Sequence, residues 1–134
     1  MKIAIAQLNL TIGDFDGNVS RIEDAAVRAQ ALGVDLLLCS ELTTCGYAPQ
    51  DLLLRPHFVD ANLRALERVA RLSSDEFGIL VGYVDRCTEP DGNSFYNAAA
   101  LCAGGKIIDC VYKTLLPTYD VFDEDRWFEP SPVI

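Results

Sequence analysis

The chain has 134 residues, half of them hydrophobic, and its 20 acidic and 11 basic side chains give a net charge of −9. That length supports one ordinary domain with a real core, or a part of a larger one. The negative sign and the scattered Lys and Arg argue against direct binding to a phosphate backbone or an anionic membrane, so neither nucleic acid nor membrane is an expected partner.

Met1 to Ala6 reaches polar Gln7 and Asn9 too soon for a signal-peptide core, and no apolar stretch approaches bilayer length. A cytoplasmic location is therefore expected. Lys2 to Asn9 alternates and then runs apolar, as a strand does, and Thr11 to Gly17, with Gly13, Asp14, Asp16 and Gly17, predicts a loop. From Asn18 to Leu32 the residues Val19, Ile22, Ala25, Ala26, Ala29 and Leu32 recur at three and four, which predicts an amphipathic helix that Gly33 terminates. Leu36 to Cys39 is short and continuously apolar, suiting a strand covered on both faces and completing a βαβ unit. Glu41 closes this run and opens the turn-rich stretch from Leu42 to Pro49. A carboxylate at the exit of a buried strand stands where parallel sheets bind their ligands.

Pro56 can seat the first turn of a second helix, with Phe58, Val59, Leu63, Leu66, Val69, Ala70 and Leu72 as its buried stripe. Gly78 to Val84 predicts a third strand, and Thr88 to Asn93, with Pro90 and an Asp91-Gly92 step, an exposed turn. Ser94 to Cys102 and Lys106 to Tyr112 are two further strands joined by Ala103-Gly104-Gly105, a hairpin signal that makes the sheet mixed. The second of them runs directly into Lys113, so two strand ends offer one acid and one base. From Thr114 to Pro132 the chain is irregular and acidic, and Val133-Ile134 has the pattern of a further strand opening. The sequence is thus expected to stop in mid-architecture.

Five cysteines, an odd number without a close CxxC pair, sit mostly in or beside apolar strands at Cys39, Cys45, Cys87, Cys102 and Cys110. They fit reduced, buried thiols better than a disulfide framework. His57 is most simply a helix-start surface residue, and no Cys-His zinc spacing involves it. The acidic run Asp120, Asp123, Glu124 and Asp125 lacks the ligand spacing and glycine of a calcium loop, so no metal is expected. Gly104-Gly105-Lys106 lacks the spacing and the following Ser or Thr of a phosphate-binding loop.

The stretch Glu41-Leu42-Thr43-Thr44-Cys45-Gly46-Tyr47-Ala48-Pro49-Gln50-Asp51-Leu52-Leu53-Leu54 resembles the base-bearing loop of the nitrilase, or carbon-nitrogen hydrolase, superfamily. More narrowly it is similar to the glutaminase domain of glutamine-dependent NAD synthetases. Asn93 to Ala100, and Tyr112 to Phe128 with its Leu116-Pro117 and Val121-Phe122-Asp123-Glu124, extend the resemblance over nearly the whole chain. It implies an α/β fold, a nitrilase-like α-β-β-α sandwich with mixed sheets of which residues 1–134 form only the N-terminal portion. It implies a Glu-Lys-Cys triad as well, with Glu41 as base and Lys113 as oxyanion stabiliser. Glu124 matches a second glutamate that orients the lysine, and Tyr47 and Tyr119 match positions flanking the glutamine side of the pocket. The nucleophile has no counterpart, because none of the five cysteines stands in the family's Cys-Glu-Asp context.

The resemblance further implies glutamine as substrate, a homo-oligomer, and a separate synthetase domain that amidates deamido-NAD with ATP and magnesium. Hydrolysis of a side-chain amide needs a thiolate, a proton carrier and an oxyanion partner, and a cysteine's free pKa of about 8.5 leaves little thiolate at neutral pH without a base. A piece without the nucleophile is expected to be inactive alone, and the open faces of half a sandwich to leave it unstable or prone to aggregate. Each residue also has a plainer reading. Glu41 alone would be a loop carboxylate, Lys113 a strand-edge lysine, Glu124 part of a solvated acidic loop, and the two tyrosines simple loop packing. The rival functions are a stand-alone amidase or nitrilase of the same superfamily and a non-catalytic binding remnant.

Overall fold

A computed structural model describes residues 1–88, 90 and 92–131. Its elements are β1 (Ile3–Ala6), α1 (Phe15–Ala31), β2 (Leu36–Cys39), α2 (Pro56–Ala70), β3 (Gly78–Arg86), β4 (Phe95–Ala103) and β5 (Lys106–Tyr112), with short 3-10 turns at Gln50–Leu54 and Glu124–Arg126. The five strands form one sheet in the order β1-β2-β3-β4-β5. β1, β2 and β3 run parallel, linked by α1 and α2, while β4 and β5 are antiparallel to their neighbours. The result is a mixed α/β sheet, two consecutive βαβ crossovers followed by a hairpin.

Both helices pack on the same face of the sheet. Ile22, Ala26, Leu66 and Val69 from the helices meet Leu37, Ile79, Val81, Ala98 and Ala100 from the strands in one core. In β1 the small residues Ala4 and Ala6 turn toward this layer and let α1 approach, while Ile3 and Ile5 are 50% and 77% exposed on the other face. Val111 of β5 is exposed too. β2 is likewise covered fully on one side only, with Leu37 and Cys39 buried but Leu36 and Leu38 half-buried, rather than on both faces as its composition suggests. One face of an α-β layer pair therefore carries a stripe of uncovered aliphatic side chains.

Several boundaries differ from the sequence pattern. α1 starts at Phe15, inside the predicted loop, because the Asp14 carboxylate caps it by accepting the Gly17 N–H at 3.0 Å. A Cβ at Gly17 would sit 2.0 Å from Asp14 Oδ2, so this glycine serves the cap and does not mark a loop. Leu32 lies past the end of the helix and is exposed. The strand from Lys2 stops at Ala6. Gly104 and Gly105 both take positive φ, +58° and +74°, and close the β4–β5 turn as expected. Asp91 of the predicted Asp91-Gly92 step and the predicted strand opening at Val133-Ile134 lie outside the described residues.

A second, smaller core joins Leu42, Cys45 and Leu53 from the loop after β2 with Phe58 and Val59 of α2, Val84 of β3 and Phe128. It clamps the two irregular segments, 42–54 and 114–128, onto the carboxyl ends of β2 and β3. That clamp sets the position of the site.

Candidate active site

Glu41 leaves β2 through a tight turn. The next residue, Leu42, is fully buried with φ +48°, a left-handed conformation that a branched side chain adopts at a cost of about 1–2 kcal/mol. The turn crosses directly over β3 at Gly82, where a Cβ would lie 2.4 Å from Leu42 N, 2.6 Å from Ser40 O and 2.9 Å from Glu41 C. Only a residue without a side chain leaves room for that crossing.

Buried amides hold the loop beyond. Thr44 N–H donates to the Gly82 carbonyl at 3.2 Å, and Thr44 Oγ1 donates to Asn62 Oδ1 at 2.6 Å. Asn62 in turn donates from Nδ2 to the Val84 carbonyl at 2.6 Å and accepts from Val84 N–H at 3.3 Å. Asn18 bonds both the Thr11 backbone and the Thr44 carbonyl. Asn18, Asn62, Thr43 and Thr44 are all fully buried and fully paired, as polar groups in a core must be.

Lys113 follows β5, and its N–H donates to the Asn97 carbonyl of β4 at 2.8 Å. Its ammonium bridges two carboxylates, donating to Glu41 Oε1 at 2.8 Å and to Glu124 Oε2 at 2.9 Å. Asn97 Nδ2 also donates to Glu41 Oε1, at 2.5 Å. Glu124 opens the second 3-10 turn and is 4% exposed, with Tyr47 donating its hydroxyl to Oε1 at 2.8 Å. Burial alone would lower the Lys113 pKa, but its hydrogen bonds to Glu124 and Glu41 and their charges prevail and hold it above the usual lysine value. Burial, with the Glu124 bond and charge behind it, pushes the Tyr47 phenol well above its usual value.

The chain thus brings together Glu41 and Tyr47 from the loop after β2 with Lys113 and Glu124 from the stretch after β5. Glu41 and Lys113 border an open depression of about 320 Å³, lined also by Leu38, Leu80, Val111, Gly82 and Asn97. Tyr119 stands apart from the carboxylates. It is 69% exposed and packs edge-on against Phe122 at 5.6 Å, on the rim of a second depression that shares Lys113. Glu124 is not part of a solvated acidic loop, although Asp120, Asp123 and Asp125 around it are exposed.

The ammonium of a lysine carries three donors, and two are engaged here, leaving one for an incoming oxygen. What the geometry offers is a carboxylate able to take a proton beside a fixed cation able to meet a developing oxyanion. The buried thiols Cys39 and Cys45 are pushed up to about 12 and Cys102 to about 11, chiefly by desolvation, so none of these is a thiolate at neutral pH. Cys110 is exposed, with its Sγ directed at Tyr112 Oη at 3.6 Å. Among the described residues no group of three His, Cys, Asp or Glu side chains is placed to hold a metal ion, and no helix is long and apolar enough to cross a membrane.

The residues that sequence reasoning passed over are Asn97, Gly82, Asn18 and Asn62. Asn97 has a signal, an amide in the otherwise apolar run Phe95–Leu101, and Asn18 and Asn62 fall in phase with the buried helix stripes. Gly82 has none beyond being a glycine inside a strand.

Glu41 and Lys113 thus meet from the carboxyl ends of β2 and β5 in a mixed α/β layer, and the carbon-nitrogen hydrolase family model matches residues 2–132. The chain belongs to that family. It is 46% identical over 129 residues to the glutamine-dependent NAD(+) synthetase of a Synechocystis species, covering 94% of this chain but 23% of that one. The solved glutamine-dependent NAD+ synthetase of Acinetobacter baumannii superposes with a TM-score of 0.85 at 32% identity, over 96% of this chain and 24% of that one. An amidase from a Nesterenkonia species superposes at 0.76 and 29% identity, and there this chain spans 48% of the partner. In a variant of that amidase acrylamide has added to the active-site cysteine. The chain therefore spans about a quarter of the synthetases it matches and about half of the amidase.

Proposed function

We propose that residues 1–134 are the N-terminal part of the glutaminase domain of a glutamine-dependent NAD synthetase, and that Glu41 and Lys113 are two members of its Glu-Lys-Cys triad. The observation that carries this reading is the Lys113 ammonium held between Glu41 and buried Glu124 at the strand ends. The closer superposition on synthetases than on the amidase, with TM-scores of 0.85 and 0.89 against 0.76, favours glutamine over another amide. The nucleophilic cysteine comes from outside this chain, so the 134 residues alone release no ammonia from glutamine.

In the complete domain Glu41 takes the thiol proton as sulfur attacks the side-chain carbonyl of glutamine, and the free N–H of Lys113 meets the oxyanion. Collapse breaks the C–N bond, and the proton on Glu41 leaves with ammonia. Glu41 then takes a proton from water as it attacks the thioester, and returns it to the thiolate with glutamate as product. Glu124, itself held by Tyr47, keeps the ammonium pointed at the carbonyl, and Tyr119 on the exposed rim lines the approach of the substrate. ATP and magnesium belong to the synthetase domain, where they activate deamido-NAD for attack by the ammonia, and no residue described here is asked to hold them. The complete protein is a cytoplasmic homo-oligomer in this reading.

The test is made on the complete protein with two nitrogen sources. Glu41→Gln and Lys113→Met are expected to abolish glutamine-dependent NAD formation while ammonium still supports it. Glutamine-dependent turnover within a few-fold of wild type in either variant refutes the assignment. A complete protein that hydrolyses amides and forms no NAD from either source moves the reading to the stand-alone amidase, for which the Nesterenkonia superposition is the support.

A further inference from the structure

From the geometry we infer that Asn97 is a positioning residue that decides which oxygen of Glu41 acts as the base, an assignment that rests on the hydrolytic reading above. Asn97 is 4% exposed in the middle of the sheet, opposite Val84 of β3. Its two polar ends serve the two halves of the site. The backbone carbonyl accepts from Lys113 N–H at 2.8 Å, and the side-chain Nδ2 donates to Glu41 Oε1 at 2.5 Å. Glu41 arrives from β2 and Lys113 from β5, so β4 is the strand from which one residue can bond both.

The second donor, Lys113 Nζ, falls on the same atom, Oε1, at 2.8 Å. Among the described residues no hydrogen bond reaches Oε2. Negative charge on Oε1 is thus tied up by an amide and an ammonium, and Oε2 keeps its lone pairs for the incoming proton. The Asn97 amide cannot turn over, because its carbonyl would then face a carboxylate; Glu41 dictates the donor orientation. Asparagine supplies that donor in that orientation. Aspartate has its shape with the opposite effect, and alanine has neither end of the side chain.

The experiment is a kcat/KM profile against pH for glutamine hydrolysis by the complete protein, with wild type, Asn97→Asp, Asn97→Ala and Asn97→Ser compared. Loss of one charge-assisted donor is expected to lower kcat/KM at pH 7 roughly 10- to 100-fold in Asn97→Ala, with a larger loss in Asn97→Asp. Removing a donor from the ionised form disfavours it, so the acid limb in Asn97→Ala should move up by about one pH unit relative to wild type. Asn97→Ser, which keeps a hydroxyl donor, should lie between wild type and Asn97→Ala, and it is the variant to read if aspartate prevents folding. Far-UV circular dichroism and thermal unfolding separate folding from catalysis. A residue with a merely structural role would lower the rate equally at every pH; acid limbs within about 0.2 unit of wild type in folded Asn97→Ala and Asn97→Ser overturn the inference. Glu41→Gln, run alongside, judges the hydrolytic reading separately. If it retains activity that reading fails, and if it is dead while the Asn97 limbs stay unmoved only the positioning role fails.

Discussion

Replacing Gly82 by alanine sets a methyl carbon 2.4 Å from Leu42 N, 2.6 Å from Ser40 O and 2.9 Å from Glu41 C. All three are backbone atoms, and ordinary contact begins near 3.4 Å, so the Glu41 turn or β3 must give by about 1 Å. The turn cannot give freely. Leu42 is fully buried in the smaller core at φ +48°, and Thr44 is tied back to Gly82 and Asn62. Overpacking of this kind costs about 1–3 kcal/mol of stability. A displacement of about 1 Å at a catalytic group costs about 100-fold in rate, so Gly82→Ala should lose two orders of magnitude in kcat/KM for glutamine beyond what its lowered melting temperature explains. Gly78→Ala is the matched control on the same strand, since its nearest contact is the flexible end of Leu36 at 3.1 Å. Steady-state ammonia release and thermal unfolding of the complete protein measure both effects. A Gly82→Ala protein with the stability and kcat/KM of Gly78→Ala would refute the reasoning.

Glu124→Gln removes the buried charge behind Lys113 and should cost about 1.5–3 kcal/mol in kcat/KM, a 10- to 150-fold loss, with Tyr47→Phe costing about 1 kcal/mol; equal activities in a kinetic assay would deny both roles. Lys113 and Tyr47 both hold their protons more tightly when folded, and so do Cys39, Cys45 and Cys102. The stability these groups contribute is complete below their unfolded pKa values and is lost as pH rises through the folded ones, so melting temperature should be level at neutral pH and fall from about pH 9 upward. A curve level to pH 11 would count against those environments, and Lys113→Met with Tyr47→Phe should flatten the decline. Alkylation of the folded protein at pH 7.5 should modify exposed Cys110 well before Cys39, Cys45 or Cys102, with peptide mass mapping as the readout.

The layout of the sheet was legible because its signals are local. Gly104-Gly105 supplies the positive φ a tight turn needs, Pro56 suits the first turn of a helix, and Leu36–Cys39 is short and apolar as a buried strand is. The start of α1 was hidden because Gly17 looks like a loop residue until Asp14 is seen to need its space. Glu41, Lys113, Glu124 and Tyr47 could be named from their motif and come together in space. Tyr119 could be named as well, but it packs on Phe122 and away from the carboxylates. Asn97, Asn62 and Gly82 act through partners far away in sequence, 56 positions from Asn97 to Glu41 and 22 from Asn62 to Val84, and no local pattern says which carboxylate, carbonyl or peptide an amide or a glycine will meet.

The Lys113 bridge joins contacts of very different span, 11 residues to Glu124 and 72 to Glu41. Each doubling of a closed loop costs about 0.6 kcal/mol, so the longer closure carries about 1.6 kcal/mol more chain entropy than the shorter one. The lysine and the nearer glutamate should therefore meet first in the folding chain, around a β4–β5 hairpin that needs no distant help. The second carboxylate arrives only when the parallel half has docked. Recovery of the Glu41 contact in a refolding time course would then mark the final step, so the emergence of reactivity reports that the two halves of the sheet have closed.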